Sequence, residues 1–405
     1  MALATSYIKK LRIESSLRKA WKTVRENGLS SKSLDTRNSI KDFEKNDYRN
    51  IRKIYDRIRT NTFIFRASRG ITIPRPGKEP RPIVMAPVEN RIVQRAILDV
   101  LQSIPALFQY VNTPTSFGGI KGRSVSAAIT SLITAYKDGA KYYVRSDIKE
   151  YFRNIPKQDV LATIGSIVCD KDFMRMLDSA TTVELSNVSS IKYRHLFPTH
   201  EIGVAQGCSL SPLLGNILLH EFDHQLNGRG ITCLRYIDDF IVLGSSPSYV
   251  KKAFLQGLEL LKKKGLTAHE PSAASSKCQH GYLDNGVDFL GCTVTPNNVR
   301  PNRVSLLKFK TEVKKIVSDS LTPRDHSYSD RSLRSMLHKL HHYLEGWGNQ
   351  YNFCNDKKLF MNLDKWLNDQ LREAMIRFNR EYQRCINKNI LCQTVLGIHC
   401  VSAGK

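Results

Sequence analysis

No stretch of the 405 residues approaches the ~20 consecutive apolar residues that cross a bilayer. The N-terminal MALATSYIKKLRIESSLRKAW also lacks the apolar core of a secretory signal. Cysteine is sparse and irregular. The nine thiols form no CxxC pair, which argues against a zinc ribbon. Their odd number and uneven spacing argue against a secreted disulfide framework. Together these absences point to a reduced, cytoplasmic protein with no membrane contact. Acidic residues are few, 37 against 62 Lys and Arg, for a formal net charge of +25. That balance argues against an acidic coat and for a polyanionic partner, most often nucleic acid. The excess is not one sticky arm. Residues 1–60 hold 16 basic and 7 acidic side chains, and residues 301–405 hold 18 and 10. Repeats and low-complexity segments are absent as well.

What is present has an order. Residues 1–60 carry apolar side chains at helical spacing, at Ile8, Leu11 and Leu17 and again at Ile51, Ile54, Tyr55 and Ile58. Residues 70–86 place two β-rich runs around a Pro/Gly/Lys turn and predict a hairpin whose prolines suit a sheet edge. A helix should follow over 91–101, and a strand over 141–148. Ser211-Pro212 predicts a helix start with the serine as cap. Residues 231–244 predict strand, tight turn and strand, with Asp238-Asp239 at the turn. A helix is expected over 254–261 and one strand over 287–294. Beyond that, 304–319, 330–353 and 356–380 carry helical periodicity, separated at 320–330 by a polar loop. The boundaries expected are a body over 1–298, a helical unit over 299–380 and a C-terminal extension over 381–405.

The sharpest chemical signal is Tyr236-Ile237-Asp238-Asp239. Adjacent carboxylates inside apolar strands repel unless a cation neutralises them. Magnesium takes carboxylate oxygens and substrate phosphates together, and a two-metal centre steadies attacking and leaving oxygens. A third carboxylate is needed, and Asp147, at the end of KYYVRSDI, is the candidate. An ordinary polar turn is the bland alternative for the DD pair taken alone. The scattered histidines, His341-His342 included, read as solvent-facing.

These residues carry a resemblance. SDIKEYFRNI, AQGCSLSPLLGNILLHEFD, RYIDDFIVLG and VDFLGCTV resemble, in order, the palm blocks of bacterial group II intron-like reverse transcriptases. GITIPRPGKEPRPIVMAPVENRIVQRAIL resembles their fingers block, SFGGIKGRSVSAAI the next, and HHYLEGWGNQY an element of their thumb. The resemblance implies an α+β right-hand polymerase, fingers and palm with an antiparallel sheet, then an α-helical thumb. It implies that Asp147, Asp238 and Asp239 are catalytic and that, with the Ile148 carbonyl, they hold two Mg²⁺ ions, with Mn²⁺ as a substitute. Phe152 matches the steric gate against a ribose 2′-OH, with a packed core ring as its alternative. Arg75 and Arg81 match the cations that clamp the triphosphate, and Lys78 could share that task. Gln206-Gly207 match the element under the nascent pair, although Ala205 replaces the usual proline. The family's proton-donating lysine has no counterpart at its aligned slot near Ser272; Lys277 is the substitute. Trp347 and Tyr351 read as thumb core.

The implied partners are an RNA template, a DNA product strand and dNTPs, with self-association compatible. No DNA-targeting or HNH segment follows the thumb, and the VTG triplet of retron enzymes is absent. The resemblance is therefore to free-standing enzymes acting with a structured noncoding RNA in antiphage defence. Two rivals stay open: an untemplated or protein-primed DNA polymerase on the same fold, and a non-enzymatic maturase-like RNA-binding protein. Phe152 argues against an RNA-dependent RNA polymerase.

Overall fold

The computed structural model describes residues 6–75, 77–271, 277–321, 332–387 and 393–396. Two compact units are present, Met1–Gly281 and Tyr282–Lys405.

In the first unit, helices Tyr7–Leu11, Glu14–Leu29, Leu34–Glu44 and Asp47–Arg59 open the chain. Their apolar stripes bury Leu17, Trp21, Ile51, Ile54 and Ile58. The receiving surface is helix Val88–Gln102, itself buried at Ile92, Val93, Ile97 and Leu101. Between them comes the expected hairpin, β1 (Arg69–Arg75) antiparallel to β2 (Lys78–Met85). Pro82 lies opposite Thr72, and the two strands form a sheet of their own. Each is therefore an edge, where a missing N–H is tolerated.

A four-stranded sheet has the order β4-β5-β3-β6, with β3 Tyr142–Asp147, β4 Ile231–Tyr236, β5 Asp239–Gly244 and β6 Gln279–Tyr282. β5 runs antiparallel to both β3 and β4. Its residues Phe240 to Leu243 are completely buried. One cover is helix Pro247–Lys263, where Phe254 stacks on Phe240 at 6.0 Å. Phe222, from helix His220–Gln225, meets Phe240 edge-on at 5.3 Å. Helix Ser211–Leu218 is buried on every side except Pro212. Ser211 is not its cap. Leu210 holds that place, and the Ser211 hydroxyl donates instead to the Ala205 carbonyl at 2.7 Å. A local capping rule gives way there to a tie into the preceding loop.

The second unit opens with β7 (Val287–Phe289), β8 (Cys292–Val294) and β9 (Val299–Pro301), a three-stranded antiparallel sheet. The single strand expected over 287–294 is thus a hairpin. Leu290 and Gly291 form its two-residue loop, both with positive φ (49° and 82°). That is the geometry a tight right-twisted hairpin demands, but leucine gives no sequence signal for it. Helices Arg303–Leu321, Leu333–Tyr351 and Lys357–Asn387 follow. They bury Phe309, Val313, Leu340 and Leu363, ringed by half-buried Tyr343, Trp347 and Trp366. Tyr351 is buried and packs on Trp347 at 4.8 Å.

The units divide before the 298/299 boundary read from the sequence. The three short strands pair only with one another, and Val299 is tied to Asn355, its N–H donating to Oδ1 at 2.7 Å. Helix Lys357–Asn387 also continues past 380. Most of the expected 320–330 loop, the slot at Ser272, the side chain of Lys78 and most of 388–405 lie outside the described residues.

Candidate active site

Three carboxylates converge at one end of the sheet. Asp147 ends β3, Asp239 begins β5, and the two stand directly opposite each other in register. Like charges at such a pair are destabilising in a sheet. Asp238 occupies the two-residue loop between β4 and β5 with Ile237, so Asp239 belongs to the strand rather than the turn. The Ile148 N–H donates to the Asp238 carbonyl at 3.0 Å and fixes the loop against the end of β3.

The electrostatics follow from this crowding. Burial raises the Asp238 carboxyl above its ordinary range, and Asp147 adds to the rise. Asp239 is pushed up to about 6, first by burial and then by Asp238 and Asp147. The protein's own cations offset part of this repulsion, Lys277 and Arg81 at Asp238 and Arg145 and Lys277 at Asp239. The Lys277 ammonium contacts the Asp147 carboxylate directly. This donor set fits a divalent cation: hard oxygens only, in mutual repulsion, where a positive charge already stands against one of them.

Of the other residues singled out by sequence, Arg81 acts on this centre. Arg81 is exposed on β2, and its charge lowers the Asp238 carboxyl against the dominant rise. Arg75 instead donates to the Glu79 carbonyl at 2.9 Å, within its own hairpin. Phe152 is half-buried on the short helix Tyr151–Asn154, 5.5 Å ring to ring from Tyr151. Its carbonyl accepts from the Val204 N–H at 2.7 Å, beside the Gln206-Gly207 loop. That loop lies on β2: the Gln206 carbonyl accepts from the Val84 N–H at 3.0 Å. Gly207 has φ 112°, and a Cβ there would stand 3.0 Å from the Val84 carbonyl oxygen. Only glycine fits such a close approach.

Sequence reasoning missed His269. Its main-chain N–H donates to the Asp147 carbonyl at 3.1 Å, and its Nε2 lies 4.0 Å from the Asp147 carboxylate. The only signal was its place soon after the Gly265-Leu266 turn. Far away in sequence, His341, His342 and Glu345 bring ligand atoms within 4.8 Å of one another on an exposed helix face. They belong to the second unit.

Residues 73–294 match the family model described as reverse transcriptase (RNA-dependent DNA polymerase). The chain belongs to the reverse transcriptase family. Residues 306–389 match the group II intron maturase-specific domain. Among curated relatives, protein YkfC of Escherichia coli is 28% identical over 166 residues, 40% of this chain and 41% of that protein. An uncharacterized 91 kDa protein in the cob intron of Schizosaccharomyces pombe is 28% identical over 173 residues, 43% of this chain and 20% of that one. The group II intron-encoded protein LtrA of Lactococcus lactis is 26% identical over 174 residues, 43% and 27%. The matches thus span a fifth to two fifths of these relatives' length. Among solved structures, the telomerase of Candida albicans with a fragment of telomeric RNA is similar at TM-score 0.43 and 14% identity, over 80% of this chain and 62% of that one. A partial Cas6-RT-Cas1–Cas2 complex is similar at TM-score 0.37 and 22% identity, over 64% and 42%. No helix among the described residues is long and apolar enough to cross a membrane.

Proposed function

We propose that this reverse transcriptase extends a DNA primer on an RNA template with dNTPs. The observation that carries the reading is the carboxylate cluster: Asp147 opposite Asp239 in register, with Asp238 in the adjoining loop. Asp147 and Asp238, with the Ile148 carbonyl, would hold two Mg²⁺ ions, for which Mn²⁺ can stand in, and Asp239 supports them. Bound there, the ions would activate the primer 3′-OH and steady charge on the leaving pyrophosphate. The protein's own residues bind and orient. Arg81, with Arg75 released from its hairpin contact, would clamp the triphosphate with planar guanidinium forks. Phe152 would crowd a ribose 2′-OH by volume alone. Gln206 and Gly207 would lie beneath the base pair being formed. Lys277, already at Asp147, would supply the proton to the departing pyrophosphate. Purified protein, given a primed RNA template and dNTPs with Mg²⁺, should yield template-length DNA. Incorporation indifferent to template sequence would favour the untemplated reading instead.

A second reading has its own support. The maturase-domain match at 306–389 favours RNA binding by the helical unit. We assign its ligand to a structured noncoding RNA that also serves as template, held by the basic surplus at 1–60 and 301–405. Each phosphate contact should add nearly one unit to the slope of log K against log salt. Sequencing the RNA that copurifies tests this: a mixture without a discrete species overturns it. A role in antiphage defence follows from the resemblance alone. Equal plaque counts on cells carrying the wild type or Asp238→Ala would refute it.

A further inference from the structure

The loop that carries Asp238 begins on an unusual residue. Ile237 has φ 60°. For a β-branched side chain that region is an outlier. Two-residue hairpin loops ordinarily place Asn, Asp or Gly there. Such strain persists only where the surroundings over-determine it.

The surroundings of Ile237 form a closed ring. Arg235, two residues earlier, is completely buried, and so is Asp223. The guanidinium forks onto Asp223, with Nε to Oδ1 at 2.6 Å and Nη2 to Oδ2 at 2.5 Å. Its remaining nitrogen, Nη1, donates to the Ile237 carbonyl and to Asn216 Oδ1, both at 3.0 Å. Asn216 is buried too, and its Nδ2 donates to the Gly118 carbonyl at 2.9 Å. Gly118 closes the ring on Ile237. A Cβ on Gly118 would stand 2.7 Å from the Ile237 main-chain nitrogen and 2.5 Å from its Cγ1. A Cβ on Gly119 would meet Pro212 Cβ at 2.5 Å and Ile237 Cδ1 at 3.2 Å. The glycine segment is itself pinned beside β4: the Arg235 N–H donates to Thr115 O, and the Phe117 N–H to Arg235 O, both at 2.9 Å.

We propose that Arg235, Asn216 and the Gly118-Gly119 pair are positioning residues that lock Ile237 in its left-handed conformation and so set where Asp238 stands relative to Asp147 and Asp239. This rests on the polymerase reading above. The arrangement is poorly explained as a stability device, because a buried ion pair is weak evidence of net stabilisation. Beyond the fork onto Asp223, the ring's hydrogen bonds run through Asn216 to the glycine segment and directly to the Ile237 carbonyl. Asp238 is then held from two sides, through Ile237 by the ring and through its own carbonyl by Ile148.

Gly118→Ala tests the idea. Its methyl meets a main-chain atom, so the loop must shift. Outer residues that orient metal ligands typically change metal affinity or activity by about 10–100-fold. Gly118→Ala should therefore weaken Mn²⁺ binding, read by calorimetry or electron spin resonance, by about tenfold or more. kcat for DNA synthesis should fall by a similar factor, with KM for the primer–template unchanged. Adding Ile237→Ala removes the Cγ1 clash and should restore part of both. If Gly118→Ala does not fold, Asn216→Ala carries the same measurements, since it cuts the Gly118 tie and leaves the Arg235–Asp223 pair in place. A folded variant with wild-type Mn²⁺ affinity and wild-type kcat overturns the proposal. A wild-type protein that makes no DNA overturns the polymerase reading instead, and the Mn²⁺ affinities still decide the positioning role.

Discussion

The two units treat polar groups in opposite ways. In Met1–Gly281, buried polar residues include Arg235, Asp223, Asn216, Lys157, Gln94 and Ser146. In Tyr282–Lys405, the buried polar residues among those described are Ser320 and Ser332. Both serve their own helices: Ser332 Oγ caps Leu333–Tyr351 by accepting from the Ser335 N–H, and Ser320 Oγ donates to the Ile316 carbonyl. On the proposed polymerase reading, the first unit must fix carboxylates to within about half an ångström, and fully satisfied polar networks give that uniqueness. The second packs half-buried aromatics around a small core and keeps its charges outside. That is the contrast the proposed division, chemistry in the first unit and RNA binding in the second, requires.

The strongest way to break this contrast is to remove a carboxylate proposed to hold metal. Asp238→Ala should abolish DNA synthesis while RNA affinity, measured by filter binding, stays near wild type. Residual extension with Mg²⁺ present would mean that catalysis does not depend on this carboxylate.

Asp223→Ala should be the most destabilising single change in the first unit. It leaves the Arg235 charge buried and unpaired, at a cost of about 3–5 kcal/mol. Denaturant unfolding should show the loss in one transition, with the transition of the helical unit unmoved.

Leu340→Ala makes the mirror test. Leu340 is buried beside Phe309 and Val313, and truncation should cost about 2–5 kcal/mol. RNA affinity should suffer most, while a short primer–template supplied at high concentration is still extended. Equal losses in both assays would show that the division of labour is wrong.

A smaller effect concerns sugar choice. Phe152→Ala should lower the ratio of kcat/KM for dNTP over rNTP by roughly tenfold, the scale on which one apolar contact discriminates. An unchanged ratio would make Phe152 a packing residue.

The smallest effect is a pH dependence. Asp239 has a folded pKa of about 6, above the ~3.9 of an unfolded aspartate. Between those values the folded state holds the extra proton, so stability falls as pH rises. In chelator, the melting temperature should drop between about pH 4 and pH 6 relative to Asp239→Asn. Parallel curves for the two proteins would contradict the crowding of the carboxylates.

Local patterns were legible in the sequence, and of the long-range pairings only that of Asp147 with the Asp238-Asp239 pair was, through the need for a third carboxylate. The hairpin over 70–86, the strand ending at Asp147 and the tight turn before Asp239 each depend on side-chain period and turn chemistry within about ten residues. The Leu290-Gly291 loop escaped because its first residue is an unremarkable apolar one in an apolar run. The Ser211 cap failed because the Ala205 carbonyl competes for the same hydroxyl.

The amino-acid sequence by itself determined the charge, the strands and turn that carry the aspartates, and which three aspartates they are. These follow from composition and from periodicities that need no partner. Only the tertiary structure decided that Lys277 stands against Asp147, 130 residues away. It alone decided that Arg235, Asp223, Asn216 and Gly118 close a ring around Ile237. An arginine in an apolar strand becomes legible only when packing buries it, because burial is what forces every one of its donors to find a partner.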